Sequence, residues 1–189
     1  TLVVLINLLV LSILLLYRSD GKINIPLGVL LAWTGWSFLS FGFAELFSAL
    51  HLLNPLSMRF AWAAAALLLS LGVAASGALK PRPLGDWVKK QFPLGWASIV
   101  FAGVVILGAG VLAFQAFVYP PNNYDSLTYH LPRVMHWAQN QSLAPYATAI
   151  ERQVQMQPMA EYLLLNLYLL SGTDRLFNLS QWGAYLVCL

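Results

Sequence analysis

Four stretches of this chain, residues 2–17, about 25–53, about 60–79 and about 94–118, are nearly free of charge. Apolar runs of roughly 18 residues or more constrain a fold more than any other feature, because a bilayer core offers the backbone no water. Only helices and closed barrels satisfy their own polar groups there. The apolar residues run on without alternating, which favours helices over barrel strands. Charged residues make up 9% of the 189, against about 25% in a soluble domain. The expected fold class is all-α, a polytopic transmembrane helical bundle.

A fifth, shorter apolar stretch covers about 159–170. "SGTDR" then punctuates the chain before a sixth begins. Residue 1 is Thr and the last residues fall inside an apolar run, so the expectation is an N-terminal piece of a larger protein. The stretch 1–93 reads as a three-span membrane region, and 94–189 as the start of a second membrane domain. A net charge of +3 is too small to argue for nucleic acid. With Cys188 as the single cysteine there is neither an intrachain disulfide nor a cysteine metal site.

Cytoplasmic loops of membrane proteins carry an excess of Lys and Arg. Here Arg18 and Lys22 follow the first span, and Lys80, Arg82, Lys89 and Lys90 follow the third. By parity these two loops share a side, so residues 119–158 are expected outside the cytoplasm. The localisation read from this is an integral membrane protein, in a bacterium of the inner membrane.

The external segment is too long for a mere connector, since most helix connections run 2 to 8 residues. Within "YPPNNYDSLTYHLPRVMHWAQNQ", Leu127, Leu131, Val134 and Ala138 recur at helical spacing on one face. The reading is an amphipathic helix lying in the membrane interface, with Asn123 or Asp125 as its cap and Tyr124 and Trp137 at headgroup level. Pro132 should interrupt it, because an interior proline removes a backbone hydrogen bond. His130 and His136 are six apart and do not share a helical face as an i, i+4 metal pair would. Glu161 falls in the first turn of the returning apolar stretch, where it can complement the helix dipole or face a cavity. Glu45 sits inside an apolar run and needs a partner unless it lies near the end of its helix.

A span ending outside, "YD", an amphipathic juxtamembrane helix, the return "QPMAEYLLL" and a further span form an ordered set. That set resembles the first external loop of the GT-C superfamily of membrane glycosyltransferases. The likeness is greatest to bacterial members related to protein O-mannosyltransferases and to the aminoarabinose transferase of lipid A. It covers about residues 94–189, and the first three spans are additional to the pattern. The resemblance implies transfer of a sugar from a polyprenyl-phosphate donor to a lipid, glycan or protein acceptor at the outer face, usually with inversion. It places the key catalytic acid at Asp125. Where the family frequently has a second acid, Ser126 stands here, and a divalent cation is the one cofactor left open.

The residue types suit such chemistry. A carboxylate can take the acceptor proton, and a departing lipid phosphate calls for a cation. Arg133 and Arg152 are the Lys or Arg residues of the segment. Tyr129, His130 and Glu161 complete the expected substrate-binding set. The plainer roles are an N-cap for Asp125, snorkelling to headgroups for Arg133, and a surface pair for Glu151 and Arg152. Two other functions fit a multi-span chain: a transporter or flippase with the external helix as a gate and Glu45 or Glu161 on its path, and a polymerase or ligase acting on lipid-linked polysaccharide.

Overall fold

The structure is a computed structural model and describes residues 2–16, 25–76 and 95–188. Among these, every regular element is a helix: α1 (Leu2–Leu16), α2 (Ile25–Ala49), α3 (Pro55–Ser76), α4 (Trp96–Val118), a π-helical turn (Ser126–His130) running into α5 (Leu131–Asn140), α6 (Arg152–Gln155), α7 (Met159–Ser171) and α8 (Asn178–Cys188). The basic residues Arg18, Lys22, Lys80, Arg82, Lys89 and Lys90, on which the expected orientation rests, lie outside the described residues.

Three helices are long and apolar enough to cross a membrane, over Pro26–Ala49, Pro55–Ser76 and Trp96–Val118. Their 24, 22 and 23 residues reach about 33–36 Å at 1.5 Å per residue, against a hydrocarbon core of about 30 Å. The second apolar run ends earlier than its composition suggests, and the third begins earlier. His51 turns the chain with φ 54. Asn54 then caps α3, its Oδ1 accepting from the N–H groups of Leu56 at 3.0 Å and Ser57 at 3.1 Å, with Pro55 in the first turn.

Polarity is inverted relative to a soluble protein. The outward faces of the long helices are apolar: on α4, Phe101, Ile106 and Leu107 are each at least 70% exposed. The most enclosed helix is α7, which buries Glu161 and Asn166 along with its leucines. Asn166 joins three helices. Its Oδ1 accepts from Trp62 Nε1 of α3 at 2.8 Å, and its Nδ2 donates to the carbonyls of Ser40 on α2 at 3.1 Å and Tyr162 at 2.8 Å. Asn7 ties α1 to α3 through the Trp62 carbonyl at 2.8 Å.

At 13 residues, α7 reaches only about 20 Å and is shorter than a bilayer core. It stops at Gly172, whose φ of 74 forms the left-handed cap. The chain then turns back, and α8 runs between α4 and α2. Trp182 Nε1 donates to the Ala109 carbonyl at 2.9 Å. A Cβ on Gly183 would stand 2.4 Å from the Trp33 ring, so glycine permits that approach. The C-terminal end of α2 and the N-terminal ends of α3 and α7 meet at one end of the bundle, where the 119–158 segment closes over them. There the Leu143 N–H donates to Ser48 Oγ at 2.8 Å.

Candidate functional site

The site is built on the polar segment between α4 and α7. Asn123 caps its start, Oδ1 accepting from the Ser126 N–H at 2.7 Å. Asp125 makes no cap bond; its carboxylate turns to Arg152 Nη1 at 3.4 Å and its side chain is 61% exposed. The helix then opens into a π turn, in which the Leu131 N–H bonds the Ser126 carbonyl.

That turn changes which face is buried. A π turn inserts an extra residue and rotates the helix beyond it, so Leu127 is exposed while Arg133, Val134 and Trp137 are buried. Of the expected stripe, Leu131, Val134 and Ala138 pack toward the core and Leu127 is turned out, while Arg133 and Trp137 join the buried face. Trp137, expected at headgroup level, stacks instead on Tyr162 of α7, with ring centroids 5.7 Å apart.

Pro132 has no N–H to return to the Thr128 carbonyl. A buried backbone acceptor needs a donor, and Gln153 Nε2 supplies one at 2.7 Å. The Gln153 Oε1 accepts from Thr148 Oγ1 at 2.9 Å and from the Tyr146 hydroxyl at 3.2 Å. Burial pushes the Tyr146 phenol above its ordinary value; Arg133 works against that shift and Glu161 adds to it.

Arg133 is 1% exposed and its guanidinium faces inward, away from any headgroup. It donates to the carbonyls of Gln153 and, at 2.9 Å, Met156, to Arg152 O at 2.8 Å and to Glu161 Oε1 at 3.0 Å. These bonds shape the 152–156 segment around one buried cation. Glu161 is fully buried, and the same Oε1 lies 3.1 Å from His130 Nδ1. Tyr129 lies against His130 at 3.9 Å, and the Arg152 guanidinium sits over the Tyr129 ring at 5.5 Å and the Tyr124 ring at 5.8 Å.

All six residues singled out from the sequence thus fall into one connected set: Asp125 to Arg152, Arg152 to Tyr129, Tyr129 to His130, His130 to Glu161, Glu161 to Arg133, and Arg133 back to the Arg152 backbone. The exposed half carries Asp125 and Arg152. The buried half, Arg133 with Glu161, holds the loop that presents them.

His136 is directed elsewhere, stacked on Tyr146 at 4.0 Å. Among the described residues no three His, Cys, Asp or Glu side chains converge. Asp125 offers one carboxylate; calcium takes six or more oxygens, whereas magnesium is held by one or two carboxylates together with waters and substrate phosphates.

Sequence reasoning missed Gln153, Tyr146 and Tyr162. The signal for the first was Pro132, since a proline in a helix leaves a carbonyl that something must satisfy. The Tyr162 hydroxyl donates to Glu45 Oε1, near the end of α2. Both residues line a cavity of about 500 Å³ with Arg133, Trp137, Tyr146 and Gln153, and neither Asp125 nor Arg152 is part of its wall. Comparison with protein-family models, with curated proteins and with solved structures gives no match to this chain.

Proposed function

We propose that the chain carries the donor-side machinery of a membrane glycosyltransferase, moving a sugar from a polyprenyl-phosphate carrier to a lipid, glycan or protein acceptor with inversion. In this reading α2, α3 and α4 cross the bilayer as part of a polytopic bundle, 119–158 faces the outside, and α5 lies at the interface above α7. The observation that carries it is the exposed Asp125 carboxylate 3.4 Å from Arg152, at the polar end of apolar helices. An acid and a cation so placed suit the two charges that develop in such a transfer. The carboxylate takes the acceptor's proton as its oxygen attacks the anomeric carbon. The guanidinium meets the phosphate that leaves with the bonding pair. Arg152 takes the phosphate role because Arg133 is committed to buried partners.

The transporter reading draws on Glu45 and Glu161. Glu161 shares one oxygen between Arg133 and His130, which suits holding a loop better than passing a proton. The deciding experiment is sugar transfer by the full chain in vesicles containing a polyprenyl-phosphate sugar. Asp125→Asn at equal expression should abolish transfer, and undiminished activity in that variant overturns the assignment.

A further inference from the structure

His130 stands between two environments. Its Nδ1 faces the buried Glu161 Oε1 at 3.1 Å. The ring also borders a small pocket of about 60 Å³ between the π turn and the start of α8; Ser126, Asn178, Ser180 and Gln181 form its other polar edge, Leu164 and Phe177 belong to its apolar wall, and Glu161 does not line it. The side chain keeps 26% of its surface open, and among the described residues Nε2 has no partner.

The chemistry of the buried side decides that of the open one. Glu161 Oε1 also accepts from Arg133 Nη1 at 3.0 Å. Arginine is always charged, and a carboxylate paired with it is an acceptor only. The hydrogen between His130 and Glu161 therefore belongs to the imidazole. A neutral imidazole has one N–H and one lone pair, so fixing the proton on Nδ1 leaves Nε2 an acceptor. Tyr129 packs against the ring at 3.9 Å, and the π turn, closed by the Leu131 N–H on Ser126 O, sets where the ring leaves the helix.

We infer that Glu161 locks His130 as its Nδ1–H tautomer, and that the pocket is a recognition site for a hydroxyl group, read by His130 Nε2. The pocket admits a hydroxyl or hydroxymethyl group. An ether oxygen offers Nε2 no proton, so a ligand without an O–H leaves that nitrogen unpaired. The Asn178 amide gives one of its two N–H groups to the Tyr119 carbonyl at 2.8 Å and keeps the second together with its carbonyl oxygen, so it can meet a hydroxyl as acceptor or as donor. This site is separate from the Asp125–Arg152 pair and does not depend on the chain transferring sugars.

The test is nitrogen NMR on 15N-histidine-labelled full chain in lipid nanodiscs, with His51→Gln and His136→Gln leaving His130 as the one reporter. Protonated and unprotonated imidazole nitrogens resonate far apart, so the tautomer is read directly at a pH where the ring is neutral. The expected spectrum has the proton on Nδ1. A proton on Nε2, or the mixture a free imidazole gives, overturns the lock. Ethylene glycol then serves as a hydroxyl probe, with 1,2-dimethoxyethane as its counterpart lacking O–H. Ethylene glycol should move the Nε2 resonance and dimethoxyethane should not; equal shifts, or none from either, overturn the hydroxyl site. Glu161→Leu, which removes the acceptor altogether, should restore a tautomer mixture, and if that variant fails to fold, the unaltered chain still decides both points. Loss of sugar transfer in Asp125→Asn has no bearing on either readout.

Discussion

Arg133 donates to the backbone carbonyl of Arg152 at 2.8 Å while the Arg152 side chain turns the other way to meet Asp125 at 3.4 Å. One arginine is structural and the other is presented, and the first fixes the second. Two cations that look equivalent in the sequence have opposite surroundings, so substitutions around them should have opposite consequences.

Removing the Asp125 carboxylate should abolish transfer and leave folding intact. The Asp125–Arg152 pair is exposed, and such pairs contribute under about 1 kcal/mol. Asp125→Asn should therefore keep the thermal midpoint of the parent chain in detergent. A large fall in midpoint would show the carboxylate to be structural.

Arg133→Gln should act in the reverse manner. It strands Glu161 in a buried site and frees three loop carbonyls, and breaking a buried ion pair costs about 3–5 kcal/mol. We expect a lower midpoint and earlier proteolytic cleavage within 152–156. Adding Glu161→Gln to Arg133→Gln should recover part of that loss, because no uncompensated charge then remains. Additive losses in the double variant would mean that the two residues do not act as a pair.

Gln153→Ala should open the π turn. It removes the donor to the Thr128 carbonyl that Pro132 leaves unpaired, and an unsatisfied buried acceptor costs about 1–3 kcal/mol. Amide hydrogen exchange should quicken in 126–131 while α2 and α3 keep their protection. Pro132→Ala in the same background returns an N–H to that carbonyl and should restore slow exchange.

Gly183→Ala should separate α8 from α2. The added Cβ runs into the Trp33 ring, so the ring or one of the two helices must shift, at an overpacking cost of about 1–3 kcal/mol where the helices move. Trp33 fluorescence should move toward that of a more solvent- or lipid-exposed indole. An unchanged spectrum and midpoint would mean that the ring turns aside freely.

The Tyr146 phenol, raised by burial from its value of 10.0, gives a pH dependence of known sign. Folding favours the neutral phenol, so its contribution is whole below about pH 10 and is lost as pH climbs through the higher folded value. Melts taken between about pH 9 and 11 should show alkaline destabilisation that is smaller in Tyr146→Phe than in the parent chain.

The sequence by itself determined the helices and their apolar character. Continuous hydrocarbon leaves a backbone few choices, and the runs at Pro26–Ala49, Pro55–Ser76 and Trp96–Val118 are legible because helix formation is local. The polar residues that the fold gathers between α4 and α7 were legible too, since polar groups stand out in an apolar chain. What only the tertiary structure decided is the direction each faces. Residue spacing places side chains around an ideal helix, but the π turn at Ser126–His130 shifts that register by an amount no pattern encodes. Arg133 consequently enters the protein and Leu127 leaves it. Partners such as Gln153 for the Thr128 carbonyl, 25 residues apart, and Glu45 for Tyr162, 117 apart, are brought together by packing of whole helices. That is a property of the assembled bundle, and no single stretch of chain contains it.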